Sequence, residues 1–468
     1  MKRTLSSMAA LILAATAVTA AGGSAAAHAP ARADGAGEHF YTTKTTYAPQ
    51  QDARRYEPVP ASFTPVFTES VSRHGSRAMS DSEDGDAVLA VLRDAEGKGA
   101  LTRLGARLGP QVESLLAAAS SVGYGELSGR GAQEQRQTAR RMEQRLPSLF
   151  RAIVAGQEPV EVKTSGVNRA TASANAFTGG LTAADPKLAD LVQAPVTDKD
   201  LLYFHKQPQN AAYQEYVEND PDLAAVLARI DGAPDTARNA KEVVSRLFSS
   251  GYVTAMTAED RVAFARSLYE LYAAAPDLGV EAPDVDLDVF VPARNAQWFS
   301  YLDDAEEFYE KGPSISGRTI TYDMANVLLD DLFDQVEAKA GGTSAKGAVL
   351  RFTHAEEIMP LAVLLGLPGS TESADLDAPY TYENNAWRGA QVAPMAANVQ
   401  WDLFAGPRRA GKDAKGQKSG KKAPSGTRYL VRMLYNEKET AFKASCEPIA
   451  RGSHFYDLDE LRNCFGRS

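Results

Sequence analysis

The stretch Phe63-Thr64-Pro65-Val66-Phe67-Thr68-Glu69-Ser70-Val71, followed after Ser72 by Arg73-His74-Gly75-Ser76-Arg77, decides how the rest of the chain is read. Its first nine residues are β-prone and partly alternating, as a strand should be. The last five put two guanidinium groups around one imidazole, with a glycine that lets the backbone come close. Guanidinium groups bind phosphate oxygens through paired, charge-assisted hydrogen bonds. Imidazole can act as a nucleophile and split one hard displacement into two easier ones. The surrounding positive charge keeps that imidazole neutral, and therefore nucleophilic, in mild acid. A strand that runs into such a turn suits a tetrahedral dianion; the plain alternative is a basic surface loop.

A second junction of the same kind lies far downstream. Ala348-Val349-Leu350-Arg351-Phe352-Thr353 reads as a strand, and His354-Ala355-Glu356 follows it at once. A histidine and a carboxyl at the carboxyl end of a strand fit a site in an open α/β sheet. His354 could hold a phosphate oxygen there, and Glu356 could protonate a departing alkoxide. Alternatively, Glu356 and Glu357 only favour the N-terminus of the next helix. That helix is expected over Pro360 to Leu365, with proline in its first turn and Gly366 at its C-cap. Strands ending at Arg73 and at His354 must lie close together to share one phosphate. The fold class that does this is α/β, a mostly parallel sheet flanked by helices.

Working outward, Val160 to Thr164 reads as a short strand, as do Val399 to Phe404 and Tyr429 to Tyr435. Helical spacing runs from Leu101 to Leu149, with a start near Ser128, and again from Ala170 to Leu181. Residues 185–340 are acidic, Ala-rich and helical in period, for example Leu223 to Ile230, Arg261 to Ala274 and Ala325 to Ala338. With no convincing core strand, they predict an inserted all-helical cap domain, leaving a discontinuous core of residues 34–184 and 341–468. The stretch from Asp34 to Pro60 is polar and reads as an extended lead-in. Residues 406–428 are rich in Lys, Gly and Ser, a composition that cannot bury a core, and read as a flexible hairpin tip.

At the start of the chain, Lys2 and Arg3 precede an apolar run from Met8 to Ala21 and then small residues. This pattern predicts a cleavable secretory signal over residues 1–33 and a secreted protein. The remaining roughly 400 residues suffice for one large domain with an insertion. No later stretch is long and apolar enough to span a bilayer, so no membrane partner is expected. A formal net charge of −10 argues against a general nucleic-acid binder, and any anion site must concentrate cations locally. In an exported chain the two cysteines, Cys446 and Cys464, are read as a disulfide. No dense carboxylate or histidine cluster suggests a metal, and no cofactor is expected.

Taken together, these motifs resemble the histidine acid phosphatases, branch 2 of the histidine phosphatase superfamily. Arg73-His74-Gly75-Ser76-Arg77 looks like their signature. The His-Ala-Glu triplet resembles that of the multiple inositol polyphosphate phosphatases, where other members and phytases carry His-Asp. Leu127-Ser128-x-x-Gly131-x-x-Glu134, the segment Ser165 to Ser173, Trp387-Arg388, Pro394 to Asn398 and Leu434-Tyr435-Asn436-Glu437 are similar to further segments of that family. The resemblance spans roughly residues 63–465 and is weakest over the cap.

It implies His74 as nucleophile, Glu356 as proton donor, and Arg73, Arg77, Arg169 and His354 around the phosphate. His205, Lys206 and Arg388 are candidate substrate-binding residues. One departure is Met79, where the family often has proline. The implied function is hydrolysis of inositol polyphosphates, small-molecule phosphate esters, through a phosphohistidine. A broad acid or sugar phosphatase on the same core, or a silent phosphate-binding protein, are the alternatives.

Overall fold

The computed structural model describes residues 39–407 and 426–467. The expected signal segment 1–33 and most of the expected hairpin tip 406–428 therefore lie outside the described residues. Strands β1 (Thr64–Arg73), β2 (Val160–Thr164), β3 (Val196–Thr197), β4 (Ala348–Thr353), β5 (Asn398–Pro407), β6 (Thr427–Tyr435), β7 (Lys438–Glu439) and β8 (Phe455–Asp457) form one sheet. Its order is β3-β2-β4-β1-β5-β6-β7, with β8 on β6. Pairing is parallel across β3-β2-β4-β1 and antiparallel from β1 to β5 onward. The expected parallel arrangement thus holds in the half that carries both motifs. The other half is antiparallel because β5 and β6 are a hairpin, paired out to Pro407 and Thr427, so the sheet is mixed.

Helices α1 (Glu83–Gly97), α2 (Gly105–Val122), α3 (Gly129–Arg145), α4 (Pro147–Gly156) and α5 (Asn168–Ala184) come first. Ser128 caps α3, its hydroxyl accepting from the Gly131 N–H, as its place before a helical run suggests. The next group is α6 (Lys199–Leu202), α7 (Ala211–Asn219), α8 (Pro221–Asp231), α9 (Pro234–Leu247), α10 (Ser250–Ala255), α11 (Ala258–Ala274) and α12 (Ala293–Lys311). Last come α13 (Asn326–Ala340), α14 (Ala355–Leu365), α15 (Gly389–Val392) and α16 (Leu458–Cys464). α14 begins five residues before the expected start, so Pro360 lies inside it rather than in its first turn. Gly366 does end it, in the left-handed conformation at φ 72°.

One face of the sheet packs Val160, Val162, Leu350 and Phe352 against Leu149, Phe150 and Phe177 of α4 and α5. The other packs Phe67, Val71, Val349 and Trp401 against Leu332, Phe333 and Leu361 of α13 and α14. α13 therefore belongs to the sheet, although it falls inside the 185–340 interval. Conversely α1, from the core side of that boundary, packs on α11. Sequence period marks a helix but not the surface that buries it.

A buried ion pair ties these layers together. Arg351 is fully buried at the middle of β4, where its guanidinium meets Glu69 of β1 at 2.9 Å and Asp331 of α13. Cys446 and Cys464 form the disulfide, joining the loop before β8 to the end of α16. No described helix is long and apolar enough to cross a membrane. Replacing Arg351 with Met should cost about 3–5 kcal/mol, because it strands Glu69 and Asp331 without their cation. Urea unfolding checks this; a loss under about 1 kcal/mol would mean the pair is not what joins α13 to the sheet.

Candidate active site

The register of β1 on β4 sets Arg73 opposite Thr353, and the His74 N–H donates to the Thr353 carbonyl at 2.8 Å. Both motifs thus leave the sheet side by side at the carboxyl ends of adjacent parallel strands. The rings of His74 and His354 stand edge to face with centroids 5.4 Å apart.

His74 is 3% exposed, and its Nδ1 lies 2.9 Å from the Gly75 carbonyl. A carbonyl can only accept, so Nδ1 carries the proton and Nε2 keeps its lone pair. Burial first, then the charge of Arg73 and the cations around it, pushes the His74 pKa well below the usual range. The imidazole is therefore neutral, as the sequence predicts. Burial, with help from Arg169 and against the pull of Glu356, lowers His354 to about 3. Its Nε2 pairs with the Ser165 hydroxyl at 2.8 Å.

Four nitrogens of the predicted phosphate-binding residues are buried with no partner among the described residues: Arg73 Nε, Arg77 Nε, Arg169 Nε and His354 Nδ1. Buried N–H groups are costly to leave unpaired. Donors of this kind around a neutral imidazole suit a multiply charged oxyanion. Arg73 is anchored by carbonyls, its Nη1 donating to Thr43 at 2.6 Å and to Ala393. Burial brings its pKa down to about 10, which still leaves it charged. Arg77 is steadied by the Ala78 carbonyl at 2.8 Å. Arg169 opens α5.

The other family-like segments hold this constellation in place. The loop carrying Gly75 and Ser76 crosses the first turn of α3 so closely that a Cβ on Gly131 would sit 2.1 Å from the Ser76 carbonyl oxygen. Glu134, one turn on, accepts from the Ser76 N–H at 2.8 Å and the Ser76 hydroxyl at 2.9 Å. Ser173 accepts from the Gly75 N–H at 3.1 Å. From behind, Arg73 donates its N–H to Ala397, and Ala396, held at φ 55°, donates to the His74 carbonyl. Glu437 takes Arg141 at 2.7 Å and the Tyr47 hydroxyl at 2.9 Å, so the Asn436-Glu437 pair acts as a brace.

Lys206 is exposed on a short turn, whereas His205 is 4% exposed and bonds Glu357 at 2.6 Å. His205 is thus a packed residue behind the motif rather than part of an open substrate surface. Arg388 lies over the Tyr382 ring at 3.7 Å and donates to the carbonyls of Tyr382, Asn385 and Trp387. Its donors serve the fold rather than a ligand. Met79 is half-buried against the core, its carbonyl accepting from Gly125 at 2.7 Å.

The lead-in contributes more than expected: Thr43 holds Arg73, and the Tyr47 N–H donates to Glu134 at 2.9 Å. Lys311, at the end of α12, is the residue the sequence did not disclose. Burial, the largest influence on Glu356, disfavours its ionisation. The Lys311 ammonium and the other groups around the carboxyl together outweigh it and hold that carboxyl well below the usual carboxylate range. Lys311 is itself ion-paired with Glu307 at 2.7 Å.

With the geometry in place, the class follows: a phosphate-ester hydrolase built on a buried neutral histidine at the strand ends of an α/β sheet. The sequence model described as histidine phosphatase superfamily (branch 2) matches residues 67–436, and the chain belongs to that family. It is therefore a phosphoric monoester hydrolase.

The Gallus gallus multiple inositol polyphosphate phosphatase 1 is 26% identical over 418 residues, covering 87% of this chain and 84% of its own. The crystal structure of the Bifidobacterium longum multiple inositol polyphosphate phosphatase in complex with phosphate matches with a TM-score of 0.83. Identity to it is 31%, over 92% of this chain and 97% of the other. A phytase from D. castellii, 15% identical, shares the fold with a TM-score of 0.63, over 91% of this chain and 84% of its own.

Gly131→Ala should force the Ser76 loop away from α3, lowering stability by about 1–3 kcal/mol and weakening inhibition by inorganic phosphate. An unchanged inhibition constant would mean the crossing does not position the loop.

Proposed function

We propose that this protein is a secreted phosphomonoesterase that hydrolyses inositol hexakisphosphate and lower inositol polyphosphates through a phosphohistidine. The observation that carries the chemistry is the neutral His74 surrounded by buried, unpartnered nitrogens of Arg73, Arg77, Arg169 and His354. The substrate class rests on the likeness to the Bifidobacterium longum enzyme, whose structures include complexes with phosphate and with inositol hexasulfate. Secretion rests on the N-terminal pattern, and the disulfide is in keeping with it.

In the first step His74 Nε2 attacks phosphorus and the P–O ester bond breaks. The departing alkoxide takes the proton of Glu356 and leaves as an alcohol. In the second step water attacks phosphorus, the P–N bond breaks, and the water proton returns to Glu356. Arg73, Arg77 and Arg169 neutralise the oxygens in both steps, and the neutral His354 offers them a hydrogen bond. Because Lys311 and the groups around it favour the ionised form of Glu356 in the free enzyme, its proton would arrive with the substrate, whose negative charge raises the carboxyl pKa.

One feature favours the second reading, a phosphatase for simpler esters. The cavity beside Arg77 is lined by Asp81, Asp84, Glu270 and Asp277 as well as Lys44. Carboxylates are poor neighbours for a second phosphate. Relative kcat/KM on inositol hexakisphosphate and on sugar phosphates separates the readings; a strong preference for sugar phosphates would overturn the first.

Phosphate release from inositol hexakisphosphate should persist with a chelator present and vanish in His74→Ala while the fold is kept. Turnover by that variant near the wild-type rate would remove His74 as nucleophile. Glu356→Gln should slow alkyl phosphates about 10²–10⁴-fold and aryl phosphates far less, since an aryl leaving group needs little protonation. Lys311→Met removes the cation beside Glu356, so the carboxyl pKa rises and the basic limb of the kcat/KM profile moves to higher pH. A limb that stays in place would show that Lys311 does not govern the donor.

A further inference from the structure

Glu357, next to the donor in the first turn of α14, is fully buried. Its Oε1 lies 2.6 Å from His205 Nδ1 and its Oε2 lies 2.9 Å from the Thr353 hydroxyl. That hydroxyl is also 2.6 Å from the Leu202 carbonyl oxygen. A hydroxyl has one hydrogen and a carbonyl can only accept, so the shorter contact takes it. The contact between Thr353 and Glu357 is then a hydrogen bond only if Glu357 supplies the hydrogen. Every polar atom of this chain is satisfied by one arrangement: His205 Nδ1–H to Glu357 Oε1, Glu357 Oε2–H to Thr353, and Thr353 O–H to Leu202.

We propose that Glu357 is a neutral carboxylic acid whose chain to His205, Thr353 and Leu202 positions the His354-Ala355-Glu356 motif and leaves Glu356 its only negative charge. The chain joins three separate pieces: the last residue of β4, the first turn of α14, and the turn at Phe204–Lys206 just after α6. Along that turn the Tyr203 ring stands between His205, at 4.7 Å, and His354, at 5.2 Å, so a shift of His205 would reach the phosphate-binding histidine through packed rings. The titratable groups around Glu357 are His205 from that turn and Glu356 from its own helix. Burial, with Glu356 alongside, raises the Glu357 pKa, in the same direction as the hydrogen count. Two ionised carboxyls in one buried turn would also repel each other and divide the field of Lys311. The role of Glu357 rests on Glu356 as donor; its protonation does not.

The test compares Glu357→Gln, which places an amide N–H where the acid hydrogen sits, with Glu357→Leu, which keeps bulk and no polar atom. Gln should retain wild-type kcat, KM and pH profile on alkyl and aryl phosphates. Leu should lose about a hundredfold in kcat on alkyl phosphates, less on aryl, with KM little changed, as expected of a misplaced donor. His205→Asn, which keeps a donor near the Nδ1 position, should resemble Gln, and His205→Phe should resemble Leu. If Gln is as impaired as Leu, the charge of Glu357 is needed and the proposal falls. If Leu is fully active, the chain positions nothing and the proposal also falls.

Should the Leu variant fail to fold, difference infrared spectra of wild type against Glu357→Gln at neutral pH decide the protonation. A protonated-carboxyl band lost in the variant supports the proposal, and a carboxylate band lost instead overturns it. Equal loss on alkyl and aryl esters in Glu356→Gln would sink the donor assignment while leaving the infrared result standing.

Discussion

The site depends on one register: β1 beside β4, parallel, with Arg73 opposite Thr353. The hydrogen bond from the His74 N–H to the Thr353 carbonyl is its last rung. A slip by one residue would turn every side chain of one strand to the other face. A slip by two would part His74 from His354 by about 7 Å, further than one phosphate can bridge. The register is protected by charge as well as by pattern. Arg351 must face Glu69 across the two strands, and a slip in either direction would leave a buried guanidinium or carboxylate alone.

A protein with a net charge of −10 gathers three arginines and two buried histidines at the end of this pair. The arrangement is stable because few of these groups compete as charges. Both histidines are driven neutral by burial, while Arg73 and Arg77 are braced by carbonyl oxygens, which anchor without neutralising. Fixed dipoles of this kind require no reorganisation when charge develops on the substrate. The same reasoning accounts for the brace of Glu134, Ser173, Ala396 and Ala397. Each of them holds the backbone of the Arg73 to Ser76 turn, and Glu134 also takes the Ser76 hydroxyl, while the Arg73 and His74 side chains are left to meet a ligand.

How much of this could be read in the chain depends on what kind of group does the work. Side-chain chemistry next to a strand was legible: His74, Arg73, Arg77, His354 and Glu356 stand where a strand gives way to a turn or helix. So was periodicity, which placed β2 and β4 at their observed bounds and found α11. Backbone work was not legible. Thr43 and Tyr47 act on the site through a carbonyl and an N–H, which any residue has, so the lead-in looked featureless. Lys311 was hidden for another reason: one lysine at a helix end is ordinary until tertiary packing sets it beside Glu356. His205 was noticed, but a sequence cannot show that its partner is Glu357, 152 positions away. The extent of the helical insertion was blurred in the same way, since α13 has the period of a surface helix and is bound to the sheet by Asp331 meeting Arg351.

If Glu356 is the proton donor proposed above, the positive field at its carboxyl sets a condition on acid catalysis. A donor that must hold its proton would, in isolation, call for a raised pKa, which burial alone would supply. Here Lys311 and the other groups around the carboxyl together reverse that tendency and favour the carboxylate in the free enzyme. The two requirements are reconciled when the substrate is counted as part of the electrostatics. A bound phosphate dianion would draw on the cations that stabilise the carboxylate, and would add negative charge near it. Both effects raise the carboxyl pKa at the moment a proton is wanted. In the proposed second step, departure of the alcohol would leave the carboxylate beside an incoming water with that positive field restored, which suits a base. On this reading the bound substrate favours the acid form and the cations favour the base form after the alcohol departs, so no separate switch is required.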